Sequence, residues 1–397
     1  MKPLVRSAFP GWNVADLAAP AVLAQKSHRT ISAHYWATLL LGATLVPALR
    51  IAGLPLRFTW AAYFGDYWVF LLGESIFGGI ILFLVGAPFA DSIGPLIRRY
   101  RRQKLRFTFI LPMVPILMLT LGIRVGLLVT GATVVALEVK DRVEENHLSW
   151  SKLASDIFWP AAYLFVGGVI TFAYNDVIAS LRYDGSAEFV LKRWDAILLG
   201  GHSVSSLAHA FIRRWPGAVS WLQFMYFGMF AQTGGSLSIL ALTEGRRRAM
   251  QYVGTILMAF YIALAFFYLW PATGPYASCV GHFSIVPNGA VTYHLQQYVL
   301  LTLERFRAGP SLTAIGEDYY IALPSMHLVQ TLIALWFLRR HKRMLIAMIV
   351  FDLLLVPAIL LLEQHYLVDL IAALPVAALA VAISGRDEPT FAAPIGL

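Results

Sequence analysis

Eight predominantly apolar stretches, each sixteen to twenty-five residues long, dominate the chain: 34–53, 67–90, 157–181, 219–243, 249–271, 324–339, 344–362 and 366–385. A bilayer core of about 30 Å is crossed by roughly 20 residues of α-helix. Only helices and closed barrels satisfy every backbone N–H and C=O there. These runs are too long and too evenly apolar for barrel strands, so the chain is predicted to be an all-α integral membrane protein. Composition agrees: 58% of the 397 residues are apolar and 13% are charged, against about 25% charged in soluble domains. That balance excludes a soluble enzyme and a disordered chain, and it gives the excess of 31 basic over 22 acidic residues a meaning other than nucleic-acid binding. Lys and Arg gather in the short cytoplasmic connections of membrane proteins.

Three basic clusters lie between spans: Arg98 to Arg106, Arg246 to Arg248, and Arg339 to Arg343. Placing all three in the cytoplasm requires the stretch 107–137, broken by Pro112, Pro115, Gly122, Arg124 and Gly126, to enter the membrane and return. The expectation is about ten membrane segments with both termini inside. Loops 182–218 and 272–323 and the junction at His365 then face outward. The polar segment 138–152 divides four leading segments, residues 1–150, from six in residues 151–397. The first 33 residues lack the apolar core of a secretory signal and contain Pro10, Asp16, Pro20 and Lys26. They are read as a cytoplasmic tail. The lone Cys279 excludes an internal disulfide.

Two strings fall at outer helix starts. Pro324-Ser325-Met326-His327 opens one span, and Glu363-Gln364-His365-Tyr366-Leu367-Val368-Asp369 opens the last. His365 and Asp369, four apart, share a helix face. A carboxylate that accepts one ring N–H fixes the tautomer and leaves the other nitrogen nucleophilic. His327 adds a second imidazole at the same depth. Ser325 and the N–H groups beside it can hold an anion. Two imidazoles, a carboxylate and a hydroxyl suit phosphoryl transfer. In that scheme His365 attacks phosphorus, Asp369 orients it, and His327 serves as acid and then base. Titratable groups at membrane depth are costly, which favours a functional reading.

Pro324 to His327, followed by His365, Tyr366 and Asp369, resembles the type 2 phosphatidic acid phosphatase superfamily. Within it the chain is similar to the branch that includes inositol phosphorylceramide synthase, through His365-Tyr366 with Asp369, through Trp270-Pro271-Ala272-Thr273-Gly274-Pro275-Tyr276, and through Trp194-Asp195 to Gly200 ahead of Tyr226. The resemblance covers about residues 157–385. It implies a six-helix core carrying both catalytic strings on its outer face, preceded by about four accessory segments. It further implies a phosphohistidine enzyme that moves an inositol-phosphate-like headgroup between a lipid phosphate donor and an alcohol or lipid acceptor. No metal and no cofactor are implied. The simple phosphatases of the superfamily carry a Lys- and Arg-containing string before Pro-Ser, which is missing here. They also carry an Arg six residues before the nucleophilic His, where this chain has Ile359.

Phosphate charge therefore has to meet cations elsewhere. Arg305 and Arg307, on the loop that leads to Pro324, come first. Arg182, Lys192, Arg193, His282 and His294 follow. Without the phosphatase-type basic string, transfer to an alcohol is preferred over hydrolysis, the alternative being a lipid or polyprenyl phosphate phosphatase. A reading of another class, a lipid transporter or scramblase, would use Glu74, Arg124 and Asp352 as pathway residues. A structural Glu74–Arg124 ion pair is the preferred account of the first two. The expected location is a bacterial inner membrane, with the site on its periplasmic face.

Overall fold

The computed structural model describes residues 32–54, 150–278, 291–308 and 321–384. The expected spans 67–90 and 107–137, with Glu74 and Arg124, and the N-terminal tail lie outside the described residues. Among the described residues every regular element is helical and none is a strand. In chain order the α-helices are α1 Ala33–Ile51, α2 Trp150–Arg182, α3 Ser186–Leu198, α4 Val204–Arg214, α5 Ala218–Thr243, α6 Arg246–Leu269, α7 Val291–Ala308, α8 Met326–Phe337, α9 Lys342–Leu361 and α10 Leu367–Ser384. A short 3₁₀ turn, Pro275–Ser278, follows α6. Among the described residues four segments are long and apolar enough to cross a membrane: Ser155–Arg182, Arg246–Leu269, Met344–Leu361 and Leu367–Ser384.

Helix α6 is the axis of the bundle and touches α1, α2, α5, α8 and α10. Its side chains are buried almost all round, including Tyr252, Val253, Ile256, Leu257, Ala259, Ala263 and Phe267. A helix apolar on every side is one enclosed by other helices. Small residues let these neighbours approach, which matters because lipid gives helices no hydrophobic reason to associate. A Cβ on Gly167 of α2 would strike Leu257, and one on Gly228 of α5 would strike Phe351 of α9. Helix α1 docks in the same way: Gly254 lies under the His34 ring. The His34 Nδ1 pairs with the Tyr163 hydroxyl at 3.0 Å, and Thr38 reaches the Tyr261 hydroxyl at 2.7 Å. Those bonds satisfy the polar side chains through which α1 meets α2 and α6.

The two ends of the bundle differ. At one end Arg248 lies over the Phe337 ring at 4.3 Å and pairs with Glu244 at 3.5 Å. His341 also reaches Glu244, at 3.3 Å. This is the end of the basic clusters Arg246–Arg248 and Arg339–Arg343. The C-terminal ends of α2 and α6 and the starts of α8 and α10 meet at the opposite end. Asp352 lies between, bonded to Gln232 Nε2 at 2.8 Å. It is a partnered polar group inside the protein.

Three expectations change. The span 324–339 is a helix of only 12 residues, about 18 Å at 1.5 Å per residue, too short for a 30 Å core. Its start is held back by the turn through Pro324, and its end falls at Leu338 before Arg339. The stretch 182–218, expected to be an outer loop, contains two helices, α3 and α4. Arg305 and Arg307 belong to the last turn of α7 and not to a loop.

Candidate active site

Only three residues separate the end of α2 from the start of α3. Glu188, Leu191 and Asp195 share its buried face, whereas Phe189 and Ile197 are 71% and 70% exposed on the other. An exposed apolar side on a short helix is the pattern that suits a bilayer boundary. The inner carboxylates of α3 turn toward the start of α10. Asp195 accepts the N–H groups of Leu367 and Val368, each at 3.0 Å. It thus satisfies two of the donors that every helix start leaves open. Asp369 closes the same turn from within, accepting the Tyr366 N–H at 2.7 Å. Burial pushes the Asp195 carboxyl up to about 6, against the downward pull of its two backbone donors.

His365 lies just before α10, in the turn these carboxylates hold. Its Nδ1 is 2.9 Å from the Ala322 carbonyl oxygen and 3.5 Å from Asp369 Oδ2. A carbonyl only accepts, so Nδ1 carries the proton and Nε2 keeps its lone pair. The main-chain oxygen is the nearer partner and Asp369 the outer one. The sequence points to Asp369 for this role, because a carbonyl has no signature among side chains. His365 Nε2 faces His327 Nδ1 at 3.4 Å. Ring stacking fixes His327 from behind: the Tyr226 ring lies at 4.2 Å, tilted by 29°.

Three loops build this cradle by main-chain contact. Ala322 N–H donates to the Ala272 carbonyl at 2.9 Å, and Ser325 N–H donates to the Asp369 carbonyl at 3.1 Å. Gly274, at φ +135°, abuts the Gln364 carbonyl, where a Cβ would fall 2.6 Å from the oxygen. Both the backbone angle and the space demand glycine. Ser325 begins α8 with its hydroxyl buried and without a hydrogen-bond partner among the described residues, as is His327 Nε2.

The site therefore brings together Ser325, His327, His365 and Asp369. Arg305 and Arg307 have their backbone in the last turn of α7, and their side chains lie outside the described residues, as does His282. His294 is exposed on α7. Arg182 turns to the Tyr268 carbonyl at 3.4 Å, and Lys192 and Arg193 ride on α3. Ile359 is fully buried among apolar neighbours. Among the described residues no group of three His, Cys, Asp or Glu side chains could hold a metal ion.

Sequence reasoning missed Glu188. It is buried, and it accepts hydrogen bonds from Thr273 N–H at 2.6 Å, Thr273 Oγ1 at 3.0 Å and Tyr183 at 3.3 Å on one oxygen. Its other oxygen accepts from the Tyr366 hydroxyl at 2.9 Å. Its spacing of seven from Asp195 was the available signal, since two turns put both carboxylates on one face. No curated protein and no solved structure matches the chain. Residues 191–383, which carry Asp195, Ser325, His327, His365 and Asp369, match the family model of the PAP2 superfamily.

Proposed function

We propose that the chain is a membrane phosphotransferase that works through a phosphohistidine and has its active site on the outer face. The observation that carries this reading is the pair of facing imidazoles: one ring nitrogen of His365 pinned as a donor to Ala322, the other unprotonated and 3.4 Å from His327 Nδ1. The PAP2 superfamily match supports a phosphatase- or phosphotransferase-type activity on a lipid phosphate. His365 Nε2 attacks phosphorus and the bond to the leaving oxygen breaks. His327 protonates that oxygen, then takes the proton of the incoming hydroxyl as its oxygen displaces His365 from phosphorus. Asp369 supports the charge that builds on the His365 ring. Ser325 Oγ and the first N–H groups of α8 form a cradle for the phosphoryl oxygens. Arg305 and Arg307, by their place ahead of Pro324, are the proposed cations.

The donor is a phospholipid or other lipid phosphate. The acceptor is an alcohol or lipid, and the resemblance to the inositol phosphorylceramide synthase branch favours an inositol-phosphate-like headgroup. Residues 1–150 are an accessory membrane unit and residues 151–397 the catalytic one. The deciding experiment gives the protein, in lipid nanodiscs, a lipid labelled in its phosphate, with and without a polyol. Label should pass to the polyol when it is present. Turnover should survive chelation, because imidazoles do the chemistry, and vanadate should inhibit. A strict requirement for a divalent ion would overturn the mechanism. Release of label only to water, whatever the acceptor, would instead make the enzyme a phosphatase.

Orientation has its own test. After Cys279→Ser, a cysteine at Gly309 should react with an impermeant thiol reagent added outside, and one at Lys342 should not. The reverse pattern would put the site in the cytoplasm.

A further inference from the structure

Glu188 lies outside the matched stretch and has no part in the chemistry above. It is nevertheless tied to both supports of His365. Through Tyr366 it holds the phenol of the residue bonded to His365, whose N–H is held by Asp369. Through Thr273 it holds the loop whose Ala272 carbonyl binds Ala322 N–H. Ala322 is in turn the residue whose carbonyl fixes His365 Nδ1. We infer that Glu188 is a positioning residue that aims His365 at phosphorus through Tyr366 and Thr273. This rests on the phosphohistidine reading above.

A carboxylate suits the place because all its partners donate. Four donors converge on two oxygens, and a buried acceptor so served is held in one orientation. The other charged and titratable groups around it come from three elements. Tyr183 lies in the link from α2, Tyr366 and Asp369 lie on the α10 side, and Lys192 and Asp195 lie on α3 itself. The loop that carries Thr273 presents no charge to it. Burial pushes the Glu188 carboxyl up to about 7, against its hydrogen bonds, and Asp369 pushes the same way. Protonation adds a fifth hydrogen to a site already full of donors. One partner must turn away, and the grip on Tyr366 or Thr273 loosens.

Stability and turnover then move in opposite directions. The folded-state pKa lies above the ordinary 4.5. This contribution to stability is therefore complete below 4.5 and is lost as pH rises to about 7. Acidification across that window favours the fold while it releases the nucleophile. A purely structural carboxylate would make activity follow stability.

The test compares wild type, Glu188→Gln, Tyr366→Phe, the double variant and His365→Ala in nanodiscs, using a lipid labelled in its phosphate. Glu188→Gln is expected to lower kcat about 10- to 100-fold at pH 8, as small misplacements of reacting groups do. KM should stay within about twofold and the melting temperature should not fall. Tyr366→Phe should lose a similar factor, and the double variant no more than the worse single one. Tyr366→Phe leaves the carboxylate in place and carries the same test if Glu188→Gln folds poorly. Active wild type and inactive His365→Ala, with kcat of both Glu188→Gln and Tyr366→Phe within twofold of wild type, would overturn the inference alone. Turnover that survives His365→Ala, or its absence from wild type, would overturn the phosphohistidine reading and the inference with it.

Discussion

Replacing His365 with alanine is expected to stop turnover, with a loss of roughly 10⁴-fold or more in kcat. The substitution removes the only protein atom the proposed mechanism bonds to phosphorus. The fold should survive, because α10 keeps its start. Asp195 still caps Leu367 and Val368, and Asp369 still holds the Tyr366 N–H. A brief reaction with phosphate-labelled lipid, quenched in acid-free conditions, should leave label on wild type and none on the variant. A labelled His365→Ala protein would place the covalent step on another residue.

His327→Ala should behave differently, and the difference lies in the leaving group. On a natural lipid the departing alkoxide needs a proton, and losing a general acid costs about 10²–10⁴-fold. On an activated aryl phosphodiester the departing phenolate needs none, so the loss should shrink to within about tenfold. The same variant should still form the labelled intermediate from the activated substrate and then pass it on slowly, since His327 is also the base for the acceptor. The readout is kcat for both substrates together with the amount of trapped label. Equal losses on both would mean that His327 shapes the site through its stack on Tyr226 and moves no proton.

Much of the framework was legible because lipid leaves few choices. The expected runs 219–243, 249–271, 344–362 and 366–385 differ by at most a few residues from the helices Ala218–Thr243, Arg246–Leu269, Lys342–Leu361 and Leu367–Ser384. Three of them stop at Gly245, Pro271 and Gly385, and the fourth starts in the basic cluster 339–343. The expected run 324–339 failed for a physical reason. Hydropathy counts apolar residues on both sides of a turn, and Pro324-Ser325 is an entry turn that delays the helix to Met326. Helices α3 and α4 escaped because an amphipathic surface helix has no long apolar run. His327 and His365 could be paired from spacing and side, since both open helices at one end of the bundle. Glu188 and Ala322 could not. One lies 177 residues before His365 and carries no motif, and the other acts through an atom every residue possesses.

That last point reaches into how such a protein is dissected. A survey of side chains would pass over Ala322 as silent, although its carbonyl oxygen decides which nitrogen of His365 is bare. The bond that fixes the tautomer is thereby insulated from side-chain substitution at Ala322. Substitution at Asp369 can change how strongly the ring is charged while the Ala322 oxygen still holds Nδ1. Asp369→Asn accordingly reports charge support with orientation largely kept. The Ala322 bond itself yields only to backbone chemistry, such as an ester in place of the Ala322–Leu323 amide, which weakens that oxygen as an acceptor and leaves every side chain as it was.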